Sequence, residues 1–168
     1  MSKTEIEAYI SACKFNRTKT LASLDQLEKT SVTENHLGWR PGVGRAHFSW
    51  QFMHIAVTEE LFATARLFGT TPGLGPYIDR FRGGSTPDEN LVDFTTIRHC
   101  LSESREHLLN ALSKFQDGDL GTIPEPIKER GWSLRTVLQV LGWHESHHQG
   151  QIHLTLNLLA NQPTGSMP

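Results

Sequence analysis

Cysteine is scarce in this chain. Two residues in 168, Cys13 and Cys100, lie far apart with no pairing signature, which excludes a disulfide framework and fits a reducing compartment. A basic excess is missing too. Sixteen Lys and Arg against eighteen Asp and Glu leave a formal net charge of −2, so the electrostatic footprint of a nucleic-acid binder is absent. No run approaches the roughly 18 apolar residues that span a bilayer, and the polar, amphipathic stretch Met1–Ile10 lacks the apolar core of a signal peptide. No segment alternates with period two for long enough to make a sheet, and no internal repeat is visible. The expectation is a soluble, cytoplasmic, all-helical protein with no nucleic-acid or membrane partner, sized for one core rather than two.

What the sequence does contain is helical periodicity, in four stretches. The first helix is expected from about Lys3 to Glu28, with Ile6, Ile10, Cys13, Arg17, Thr20, Leu24 and Leu27 on one face. Arg17, or its neighbour Asn16, interrupts that stripe and is expected to snorkel at the core edge, the alternative being that it reaches a polar site inside the bundle. After a loop marked by Gly38, Pro41, Gly42 and Gly44, a second helix is expected from about Arg45 to Phe68. It is apolar over much of its circumference, so it is either the most buried helix or part of a dimer contact. Gly69 to Asn90 reads as a long crossover link with Tyr77 and Phe81 as anchors, long enough for the third helix to run parallel to the second. The third helix is expected from about Pro87 to Phe115, with His99 and His107 on its surface and Asp88 and Glu89 favouring its start. A turn-rich segment, Gln116–Trp132, leads to Ser133 as the cap of a fourth helix ending near Ala160. The expected fold is thus a four-helix bundle of up-down-down-up topology over residues 1–160, followed by a loose tail, 161–168.

Coordinating chemistry concentrates in the fourth helix. His144 and His148 are one turn apart, about 40° from each other on the helix, and they share the apolar face with Leu134, Val137, Leu141, Ile152, Thr155 and Leu159. His54 lies in the middle of the apolar face of the second helix. Unpaired polar rings in a core are costly, and one metal ion would satisfy all three. Imidazole suits zinc, nickel, iron and copper. Three nitrogens also leave a coordination position open for water or substrate. The bland alternative is three hydrogen-bonded core histidines with no metal. His47 shares the face of His54 but sits about 10 Å along the axis, too far to share an ion easily. It either lines the pocket or is a satisfied core histidine.

His144-Glu145-x-x-His148 also matches the helical H-E-x-x-H motif of zinc metalloproteases, with Glu145 as general base. The match is weak. Gly150 and His153 each arrive one residue early for the extended motif, His153 faces away from His144, and few residues follow to supply a third ligand.

The run HESHHQGQI, His144 to Ile152, resembles the last-helix signature of the DinB-like (DinB/YfiT) superfamily, commonly H-x-x-H-H-x-G-Q. WQFMHIAVTEELF, Trp50 to Phe62, is similar to that family's second helix. The resemblance implies a four-helix bundle, often a homodimer, that holds a divalent metal, usually nickel or zinc, with iron, manganese or copper as further candidates. The implied ligands are His54, His144 and His148. Members with an assigned activity include thiol-dependent transferases and isomerases that use small cellular thiols. The expectation is therefore a metal-dependent enzyme whose open site activates a thiol toward an electrophile. The alternatives are a metal-dependent hydrolase with Glu145 as base and a non-enzymatic metal-binding bundle. His47, Glu145, His147 and Gln151 are expected around the ligands, as orienting or pocket residues.

Overall fold

The computed structural model describes residues 4–31 and 36–162, and the described chain is all-α, with no strand. The helices are α1 Glu5–Thr30, α2 Phe48–Leu61, α3 Gly75–Phe81, α4 Phe94–Leu112 and α5 Leu134–Ala160. No helix among the described residues is long and apolar enough to cross a membrane.

Each long helix starts at a side-chain cap. Thr4 and Glu7 form a reciprocal capping box at α1, while Asp93 and Ser133 accept from the third amide of α4 and α5. Two more free amides of α1, those of Glu5 and Ile6, donate to the carboxylate of Asp117 at 2.8 and 3.1 Å. The cap of α2 is His47: its Nδ1 accepts from the Trp50 amide at 3.0 Å, so its Nε2 carries the hydrogen donated to the Asp88 carbonyl at 2.8 Å. His47 is thus buried with both ring nitrogens hydrogen-bonded.

α2 is the central element. It packs on α3, α4 and α5, and Phe48, Phe52, Met53, Ile55, Ala56 and Val57 are all buried, so its all-round apolarity is accounted for within one chain. Past Leu61 the helix widens into a π turn, Phe62–Arg66, where the Thr64 hydroxyl donates to the Glu60 carbonyl at 2.6 Å. Such a turn inserts one residue into the helical count.

Two apolar clusters share the interior. One gathers Leu24 and Leu27 of α1, most of α2, Phe81, Ile97, Leu101, Ile152 and Leu156; the other gathers Ile6, Phe62, Leu67, Leu108, Leu112, Leu134, Val137 and Leu141. Along every long helix a polar residue falls between the clusters, and these residues meet as a buried ion network. Arg17 donates to Glu59 and Glu145 at 2.7 Å each and to the Leu101 carbonyl. Arg105 pairs with Glu59 at 2.8 Å and with Glu145 at 2.5 Å. Ser104 and Thr20 add hydroxyl hydrogen bonds to the two carboxylates. Arg17 therefore does not snorkel; it spans the core, because two carboxylates wait there to neutralise it.

Three other expectations change. The link 69–90 contains α3, started by Gly75-Pro76, and Phe81 is the buried anchor it was expected to be. The start of α4 is Phe94, seven residues later than Pro87: Asp88 is held in the preceding loop by Arg80, and Asp93 is the cap instead. His99 is exposed, but His107 is not simply a surface residue; its Nδ1 bonds the fully buried Glu60 at 2.6 Å, and Glu60 also accepts from the Gly73 amide. In the tail, Gln162 accepts from the Trp39 indole at 3.1 Å, and residues 163–168 lie outside the described residues.

Candidate metal centre

α2 carries His54 and α5 carries His144 and His148, and packing of these helices brings the three rings together. One ligand atom from each lies within 4.8 Å of the others. Ring centroids are 4.9 Å apart for His54–His144, 4.7 Å for His54–His148 and 4.6 Å for His144–His148. His54 is buried while His144 and His148 are half-buried, so the cluster sits where solvent and core meet.

His54 is held on two sides. Trp50 stacks on its ring at 4.5 Å and 11°, and its Nδ1 lies 2.6 Å from the Phe81 carbonyl. A carbonyl only accepts, so Nδ1 carries the hydrogen and Nε2 presents a bare lone pair. That Nε2 is 3.0 Å from His144 Nε2. Two nitrogens bound to one zinc-like ion at about 2.05 Å would be separated by about 3.3 Å at the tetrahedral angle and about 2.9 Å at a right angle. The observed spacing falls between them. His148 contributes a buried Nδ1 with no hydrogen-bond partner, an orphan that a core seldom tolerates. These features fit a divalent cation.

The electrostatics agree. Burial lowers the basicity of all three rings: His144 falls to about 3, with His148 and His54 adding to the effect, and His148 falls to about 4. His54 is lowered as well, by burial and then, weakly, by the charge of Arg66, against a raising contribution from the Phe81 carbonyl. Neutral imidazole is the form that binds metal.

The neighbours expected around the ligands separate into two groups. His147 stacks on the exposed Trp143 at 4.9 Å and accepts from Gln151 Nε2 at 2.9 Å, and Gln151 also contacts His148, favouring its charged form. Glu145 points into the ion network, where Arg17, Thr20 and Arg105 occupy its oxygens. It touches none of the three rings by hydrogen bond. His47 is spent on the α2 cap and on Asp88. Two residues have no forewarning in the motifs: the Phe81 carbonyl, which no residue-type pattern announces, and Arg105, although it does sit at core spacing between Leu101 and Leu108.

An all-α protein with a histidine triad from two packed helices, able to hold one divalent ion, is the class these features define. The chain belongs to the DinB superfamily, a group of metal-binding proteins, whose family model matches residues 12–152. No curated protein and no solved structure matches it.

Proposed function

We propose that the chain is a metal-dependent enzyme in which His54, His144 and His148 hold a nickel or zinc ion, and that a small thiol is activated there to attack an electrophile. The observation that carries this is the triad itself: three nitrogens converge, all shifted toward the neutral form, at a half-buried rather than a sealed position. Three protein ligands leave room for an exogenous one, and a bound cation supplies the charge that makes a thiol ionise near neutral pH.

The thiol would come from outside. Burial pushes the Cys13 and Cys100 thiols up to about 11, so neither is a nucleophile at neutral pH. Their freedom from disulfides is also what supports a cytoplasmic setting. A hydrolase with Glu145 as base draws less support, since that carboxylate is held by two arginines in the buried ion network. The four long helices would form an up-down-down-up bundle, and the active form would be a homodimer.

The test is a thiol-transfer assay with an electrophilic acceptor on protein stripped of metal and then reloaded. Activity should appear with nickel or zinc and fall at least a hundredfold in His148→Ala. Equal turnover in the metal-free protein would sink the proposal.

A further inference from the structure

Arg66 is an exception among the arginines. Every other arginine that is buried or half-buried has an acidic partner: Arg17 and Arg105 in the ion network, Arg40 with Glu89, Arg80 with Asp88, Arg98 with Asp25 and Glu28. Arg66 is half-buried with none, and no hydrogen bond among the described residues reaches its guanidinium. It lies over the Phe62 ring at 4.3 Å; Phe62 stacks on Trp132 at 6.4 Å and 9°, and Arg130 covers Trp132 at 5.2 Å. Two unneutralised guanidiniums thus flank one aromatic stack, and a desolvated cation next to another cation calls for an anion.

The π turn decides which way Arg66 faces. On a regular α-helix, twelve residues beyond His54, it would stand about 120° away from that histidine. The extra residue inserted at Phe62–Arg66 removes one 100° step and returns Arg66 to within about 20° of the His54 face. Helical side chains lean toward the N-terminus, so the guanidinium reaches back toward the histidines, to roughly 10 Å from them. Its charge is felt there: it lowers the basicity of both His54 and His144, though less than burial does.

We infer that Arg66, seconded by Arg130, is the subsite for an anionic group, a carboxylate or its equivalent, on a small molecule whose thiol sits at the histidine triad. This rests on the thiol-dependent function proposed above and adds the charge and length of the substrate. The sulfur and the anion would be separated by about 10 Å in the bound molecule.

The probes are mercaptooctanoate, a straight thiol acid of about that length, and the uncharged mercapto-alcohol of equal length. Binding to the cobalt-loaded protein is read from the sulfur-to-metal absorption band. The acid should bind at least tenfold tighter than the alcohol. Arg66→Met, which keeps the stem over Phe62, should erase that preference with metal content unchanged, and Arg66→Lys should restore part of it. A preference that is absent, or that survives Arg66→Met, overturns the subsite. Octanoate and the metal-free protein separate the two ideas. If neither thiol gives the band but octanoate still binds in an Arg66-dependent way, the thiol function fails and the anion subsite stands. Should Arg66→Met lose its helical signal, Arg66→Gln carries the same comparison.

Discussion

A single imidazole nitrogen with no partner is where residue chemistry and function meet in this protein. His148 Nδ1 is buried and unsatisfied, and Nε2 of His54 faces Nε2 of His144, where only one of the two can carry a hydrogen. The pattern of His54, His144 and His148 was legible because the helical period alone puts each ring on a core face. What the period could not show was how the rings are oriented, since the Phe81 carbonyl that fixes the tautomer of His54 belongs to a segment without a pattern of its own. The shifts carry a pH consequence. His144 and His148 protonate in the unfolded chain near 6.5 but only near 3 and 4 when folded, so between those limits the unfolded state binds more protons. Stability of the metal-free protein should therefore be flat above about pH 6.5 and decline as pH falls below it. Denaturant titrations at a series of pH values check this, and a loss of stability that begins well above neutrality would contradict it.

Among the elements, the ion network between the apolar clusters sets how α1, α2, α4 and α5 lie against one another. Sequence reasoning placed Arg17 on the core stripe yet could not tell snorkelling from burial, because its partners come from three other helices: Glu59, Glu145 and the Leu101 carbonyl. The position of a charge in sequence says nothing about a counter-charge 128 residues away. Arg17→Met should destabilise the fold by about 3–5 kcal/mol, since it leaves carboxylates buried without one of their two cations. Glu145→Gln should likewise lower the melting temperature while leaving the affinity for metal within about threefold, a split that a ligand to the metal would not produce. His47→Ala removes the cap of α2 and should cost about 1 kcal/mol with metal stoichiometry unchanged. Equilibrium unfolding alongside metal analysis reads all three. α3 and the late start of α4 escaped notice for a different reason: a seven-residue helix opened by Gly-Pro resembles a turn, and Asp88, Glu89 and Asp93 compete for the same capping role until Arg80 claims the first of them.

For the whole molecule, a metal held by the triad would couple binding to folding, because two packed helices each supply part of it. An ion held only when α2 and α5 are docked stabilises the folded state, by about 4 kcal/mol at a thousandfold excess over its Kd. Chelation should lower the melting temperature, and adding back nickel or zinc should restore it. The most direct measurement is elemental analysis of protein purified without a histidine tag, made on the wild type and on His54→Ala, His144→Ala and His148→Ala. One divalent ion per chain in the wild type, reduced to a small fraction in each variant while the helical signal persists, is the expected result. A wild type that binds no divalent ion at micromolar concentrations, or variants that retain it in full, would contradict the convergence of the three histidines on a common metal.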